Sequence, residues 1–159
     1  MASGKTSAGR EVAAALGRPF VDSDAQVEAA TGRTVREIFE TDGEPAYRAL
    51  ERQALVAALD LPLPAVVAAA GGVVLDPENR DALRRAATVV WLRAQPEVLA
   101  SRVSTGDHRP LLADDPLGTL TRLSQDRRHL YEEVADHVVD VDGMSSDDVA
   151  ARIVELVSR

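Results

Sequence analysis

The chain has 159 residues, no cysteine and a formal net charge of -8, with a pI near 4.9. That length suits a single domain whose core needs no staples, and the missing cysteine excludes disulfides, thiolate metal sites and a cysteine nucleophile. Binding to nucleic acid, driven by Lys and Arg neutralising phosphates, is disfavoured by this acidity, and no apolar run approaches a membrane span or a secretory h-region; a cytoplasmic protein without either partner is expected.

Residues 4–16 place Ala8, Val12, Ala15 and Leu16 at helical spacing ahead of Gly17, which suits the left-handed position after a helix end. RPFVDSD reads as a short strand closed by two acids. TVREIFETDG opens on Thr34-x-x-Glu37, the reciprocal cap of a first turn, and predicts a short helix. EPAYRALERQALVAALDL sets Ala46, Leu50, Ala54, Ala57 and Ala58 on one stripe with Pro45 in the first turn, which predicts a long, half-buried helix.

AVVAAAGG is an uninterrupted apolar run ending in two glycines, the pattern of a strand covered on both faces. Asp76-Pro77 caps a helix to about residue 87. TVVWLR is a further apolar strand with Trp91 in the core, and residues 96–103 read as helix. STGDHRPLLADDP is polar and aperiodic, and predicts a mobile lid over residues 104–116. A helix over 117–135, the strand HVVDV and a helix capped by Ser145-Ser146-Asp147-Asp148 complete the chain. Leu123, Leu130 and Tyr131 are assigned to the core, and the scattered His108, His129 and His137 to the surface or lid. Strands alternating with helices predict an α/β fold: a parallel sheet with helices on both faces, in one domain over 1–159.

The opening MASGKTSAGR carries the motif of most chemical content. A glycine loop feeding a helix N-terminus cradles phosphates on free amides and the positive dipole end. The pattern G-x-x-x-x-G-K-[ST] adds a Lys for the outer phosphates and a hydroxyl for magnesium. Gly4, Lys5 and Thr6 supply its last three members, while its first glycine would fall before Met1. The four visible strands would become five with the strand that normally carries this loop. The motif therefore leads us to expect about ten further upstream residues, an apolar strand ending in Gly-x. Gly-Lys-Thr alone is an ordinary helix start; its weight comes from Asp22-Ser23-Asp24 and Gly71-Gly72, each at a strand end, where doubly wound sheets bind ligands.

SGKT, DSD, TGRTVREIFETDGEPAYRALE, AAAGG, RPLL and RRHLYEEVAD follow one another in this chain, and in this order and spacing they resemble the shikimate kinases. The IFETDGEPAYRALE block is far more specific than the phosphate loop. The resemblance implies a P-loop three-layer fold with sheet order 2-3-1-4-5, strand 1 lacking here, and substrate-binding helices over about 31–60. It implies ATP and Mg2+ as cofactors and the 3-hydroxyl of shikimate as acceptor, in the route to chorismate and aromatic amino acids. Lys5 matches the phosphate-loop lysine, with Ser3, Gly4 and Ser7 beside it. Thr6 matches the magnesium-binding hydroxyl, Asp22 an acid near the metal, and Asp24 the acid that binds substrate hydroxyls and acts as base. Arg48, Arg109 and Arg127 match arginines around shikimate, Gly71 and Gly72 the glycines lining its site, and Arg102 a residue near adenine. Arg109 matches a cation closing over the phosphates as well. Ala2 stands for a usual loop glycine and Ala70 for the first of a glycine triplet, where its methyl would crowd the acceptor.

Plainer readings stand beside these. Asp22 and Asp24 could cap the next helix, and Arg48 could form a solvent-facing helical ion pair with Glu51. Arg109 could be solvated surface, adjacent Arg127 and Arg128 cannot both face one site, and Gly71-Gly72 could be a plain turn. The alternatives to a shikimate kinase are a non-catalytic shikimate- or nucleotide-binding relative, and a P-loop kinase of another hydroxy acid such as gluconate. The chain is expected to work as a monomer.

Overall fold

A computed structural model of the chain describes residues 3–102 and 115–158. The elements run α1 (Lys5–Leu16), β1 (Phe20–Asp22), α2 (Ser23–Thr31), α3 (Val35–Leu59), β2 (Val66–Ala68), α4 (Pro77–Ala86), β3 (Val90–Arg93), α5 (Pro96–Arg102), α6 (Pro116–Val134), β4 (His137–Asp140) and α7 (Ser146–Val157), with a single 3-10 turn at Val73–Leu75. This is the expected α/β alternation. Gly17 closes α1 at φ 62°, and the Thr34–Glu37 and Ser145–Asp148 pairs form complete capping boxes. The expected short and long helices meet in α3, where Gly43 at φ 82° breaks the helical path just ahead of Pro45.

Two local readings change. The strand expected across 18–24 ends at Asp22, because the Asp22 carboxylate accepts from the amides of Asp24 and Ala25 and starts α2. Asp24 therefore sits in a helix's first turn and not on a strand. Likewise AVVAAAGG is extended only at Val66–Ala68, and its glycines lead into the 3-10 turn.

The strands form two parallel pairs, β1 with β2 and β3 with β4, in the registers Val21 to Val67 and Trp91 to Val138. Among the described residues no strand joins them. Between β2 and β3 lies a groove of about 790 Å³, bordered by Val67, Ala69, Val90 and Leu92 and reaching Ser3 and Lys5 at the start of α1. Residues of a parallel strand turn their amides and carbonyls alternately to either side. The Val66 amide bonds to Pro19 in the β1 direction, and the Val89 and Arg93 carbonyls accept from His137 and Val141. By alternation Val67, Val90 and Leu92 present their backbone groups to the groove.

Apolar packing supports this frame in three places. Ala8 and Val12 of α1 pack with Val139, Val141 and α7. Leu55, Val74, Leu83 and Val134 join α3, α4 and α6 beneath the end of β2. Val27, Ile38, Tyr47 and Ala54 join α2 to α3.

Candidate active site

The start of α1 has the features a phosphate needs. Gly4 precedes the helix at φ 83°, a conformation open to glycine, and its position makes no side-chain cap bond to the first turn, the kind of helix start that suits an anion. Lys5 is the first helical residue, Ser3 and Lys5 line the groove mouth, and Ser7 is exposed one turn on. The Thr6 hydroxyl donates to Asp22 Oδ2 at 2.7 Å. A hydroxyl and a carboxylate at the foot of a phosphate-binding turn fit magnesium, which takes few protein oxygens and leaves other positions to water and phosphate. Asp22 thus caps α2 with Oδ1, as its plainer reading had it, while its Oδ2 accepts from Thr6.

Two residues on from that acid, α2 and α3 bring together Asp24 and Arg48, both expected from the sequence to meet the acceptor. Tyr47 is 4 % exposed, and its hydroxyl donates to Asp24 Oδ1 at 2.6 Å. Burial, then the Asp24 charge, pushes the Tyr47 hydroxyl above the ordinary tyrosine range, so it remains a donor. Arg48, the next residue, is gripped from both ends: Nη1 reaches both oxygens of Glu51 at 2.9 Å, while Nη2 meets Glu44 at 2.7 Å. The solvent-facing pair read from the sequence is corrected here, since Glu51 is 2 % exposed. Burial raises the Glu51 carboxyl above its ordinary range despite the pull of Arg48. Burial also works against the Arg48 charge, but Glu51 and Glu44 outweigh it and raise its pKa.

The end of β2 closes the pocket. Ser23, itself buried, accepts from the Ala70 amide at 2.9 Å and stitches the ends of β1 and β2 together. The Gly71 carbonyl accepts from Tyr131 at 2.7 Å and Arg127 at 3.3 Å. A Cβ on Gly72 would lie 1.8 Å from Arg48 Nη1, so glycine here makes room for the guanidinium. Ala70 packs into the apolar cluster with Leu55 and Val73 and also lines the groove.

Arg127 faces the site while its neighbour Arg128 pairs outward with Glu132, as adjacency on a helix required. Tyr131, read as core, is half-buried; its ring stacks on Trp91 at 5.3 Å and its hydroxyl reaches the pocket floor. Arg102 is exposed and donates to the Val141 carbonyl at 3.1 Å, far from the acceptor group in the fold's order. Arg109 and most of the expected lid lie outside the described residues. Sequence reading missed Tyr47 and gave Glu51 only its default pairing. The signal was there for Glu51: it occupies the buried face of α3 with Tyr47, Ala54, Leu55 and Ala58, and a carboxylate there needs a built partner.

A family model described as shikimate kinase matches residues 1–158. A curated shikimate kinase of Symbiobacterium thermophilum is 48% identical over 158 residues, covering 98% of this chain and 90% of that protein. One from Caulobacter vibrioides is 46% identical over 139 residues, 87% of this chain and 69% of its own. Among solved structures, shikimate kinase from Acinetobacter baumannii in complex with shikimate superposes with a TM-score of 0.95 at 34% identity, over 99% of this chain and 88% of that one. The enzyme from Bacteroides thetaiotaomicron does so with a TM-score of 0.90 at 27% identity, over 100% and 94%. With the family's match running from the phosphate-binding turn to the last helix, this chain belongs to the shikimate kinases.

Proposed function

We propose that this chain phosphorylates the 3-hydroxyl of shikimate with Asp24 as the base, and that its acceptor pocket is built by α2, α3, α6 and the end of β2. Family membership makes it an ATP- and magnesium-dependent kinase of aromatic amino-acid biosynthesis. The observation that supports the assignment of roles is that Asp24, Arg48 and Arg127 all act on the buried Glu51, with Arg48 against Gly72 and Arg127 on Gly71, while Asp22, two residues before Asp24, bonds to Thr6.

MgATP, when bound, supplies the phosphoryl group and the divalent charge that neutralises it. Lys5 and the amides of Gly4 to Ser7 hold the phosphates, with Ser3 beside them, and Thr6 and Asp22 hold the metal. Asp24 accepts the proton of the attacking hydroxyl and needs no exceptional basicity, because phosphoryl transfer depends on positioning and charge neutralisation. Arg48 and Arg127 bind the acceptor carboxylate, for which planar guanidinium groups suit. Glu44 is 49 % exposed in its pairing with Arg48, so an entering carboxylate exchanges with Glu44 and leaves buried Glu51 in place. Gly71 and Gly72 add no side chains of their own to the pocket floor, Arg102 serves the adenine side, and Arg109 serves as a further cation for the phosphates. The whole of 1–159 is read as one kinase domain acting as a cytoplasmic monomer. Its charge of -8 supports the absence of a nucleic-acid partner.

The test is ATP consumption with shikimate, quinate and gluconate in parallel. Turnover with shikimate well above the other two is expected. Preference for gluconate would support the alternative reading as a kinase of another hydroxy acid, and binding without turnover would support a non-catalytic relative.

A further inference from the structure

The Tyr47 ring and its hydroxyl answer to different demands. The ring sits among Val27, Ile38 and Ala54 and lies 4.6 Å from Phe39. Phenylalanine would fill that space equally well. The hydroxyl adds a polar atom to a core position, which is costly unless it is bonded. Its partner is the carboxylate of Asp24, which lies 23 positions away in sequence and belongs to another helix.

We infer that Tyr47 is a positioning residue: its core-anchored hydroxyl fixes the Asp24 carboxylate by holding Oδ1, which leaves Oδ2 for the acceptor hydroxyl. This rests on the reading of Asp24 as the base. A carboxylate in the first turn of α2 can rotate about both side-chain torsions, and the short bond from a ring that cannot itself move removes that freedom before the acceptor arrives. Because the hydroxyl stays protonated, the restraint holds across the working pH range. Tyr47 also packs beside Arg48, whose guanidinium lies 5.4 Å from the ring centre. Neighbouring residues of α3 thus meet both groups: Tyr47 bonds to Asp24 across the helix pair, and Arg48 follows it in the chain.

The experiment is a double-mutant cycle with Tyr47→Phe and Asp24→Asn, measuring kcat and both KM values along with thermal unfolding. Tyr47→Phe keeps the ring and should melt within a few degrees of the parent. Its kcat should fall about ten- to thirtyfold, as expected for loosening a reacting group's alignment, while KM for shikimate and ATP changes less than about threefold. In the Asp24→Asn background the same change should cost almost nothing further, because a residue acting only through Asp24 has nothing left to position. An unchanged kcat in Tyr47→Phe, or an equal loss in both backgrounds, overturns the inference. Full activity in Asp24→Asn alone overturns the reading of the base as well, and so separates the two failures.

Discussion

Around Asp24 and Arg48 the structure holds each named polar group in place without a ligand, whereas between β2 and β3 two strand edges face an apolar groove. In the first region Tyr47 restrains Asp24, Glu44 and Glu51 grip Arg48, and the Gly71 carbonyl collects Arg127 and Tyr131. In the second, Val67, Val90 and Leu92 turn backbone groups toward some 790 Å³ lined mainly by apolar side chains. The contrast teaches where each region gets its order. The acceptor pocket is organised by side chains on helices that have their own core, so it does not wait for the sheet to be continuous. The phosphate turn sits at the groove mouth, and its position depends on what the groove contains.

The largest effect should come from filling that groove. A segment fused ahead of Met1, with five apolar strand residues followed by Gly-x, would bury side chains contributing about 1.5–3 kcal/mol each, against about 1–2 kcal/mol per residue for ordering the backbone. A net gain of about 3–5 kcal/mol is expected, read as a rise of roughly 10 °C in thermal midpoint, with tighter ATP binding. No rise would mean that the groove does not accept a strand, and the contrast between the regions would dissolve.

Next in size is Glu51→Ala. Removing one partner of a buried pair costs about 3–5 kcal/mol, and the low end applies because Arg48 keeps Glu44. Urea unfolding should show that loss, and KM for shikimate should rise as Arg48 loses its anchor. Glu51→Gln sharpens the electrostatics. Burial raises the folded-state pKa of Glu51 above its unfolded value, so its titration favours the folded state at low pH and that contribution fades as pH rises through the raised value. Glutamine does not titrate, so the stability of Glu51→Gln relative to the parent should improve between pH 4 and 7. A constant difference over that range would mean that Arg48 fully offsets the burial.

Arg127→Ala is the smallest change. It removes one charge-assisted contact to the acceptor, worth about 1.5–3 kcal/mol, and should raise KM for shikimate roughly ten- to a hundredfold while leaving KM for ATP unchanged. An unaltered shikimate KM would take Arg127 out of the pocket.

The same contrast governs what could be read from the sequence. Caps and periodicity are local, so α1, α4, α6, α7 and both capping boxes were legible, as were the four apolar strands. The helix α2 was not, because Asp22 serves as strand end, helix cap and partner of Thr6, and spacing alone cannot rank those uses. Arg48 and Glu51 read as an exposed pair because their i,i+3 spacing is common on solvated faces. The apolar residues at helical spacing around Glu51 were the sign that this face is buried. Tyr47 was invisible for a similar reason: its ring satisfies the helical stripe, and nothing local marks a hydroxyl whose partner lies on α2.

The most direct test of the account is phosphorylation of shikimate by Asp24→Asn, with ATP affinity measured on the same preparation. On the proposed assignment the residue meets the acceptor and not the nucleotide, so turnover should collapse while ATP binding stays nearly intact. Turnover at the parent's rate, or loss of ATP affinity in step with activity, would contradict the assignment of Asp24 to the acceptor and Asp22 to the metal.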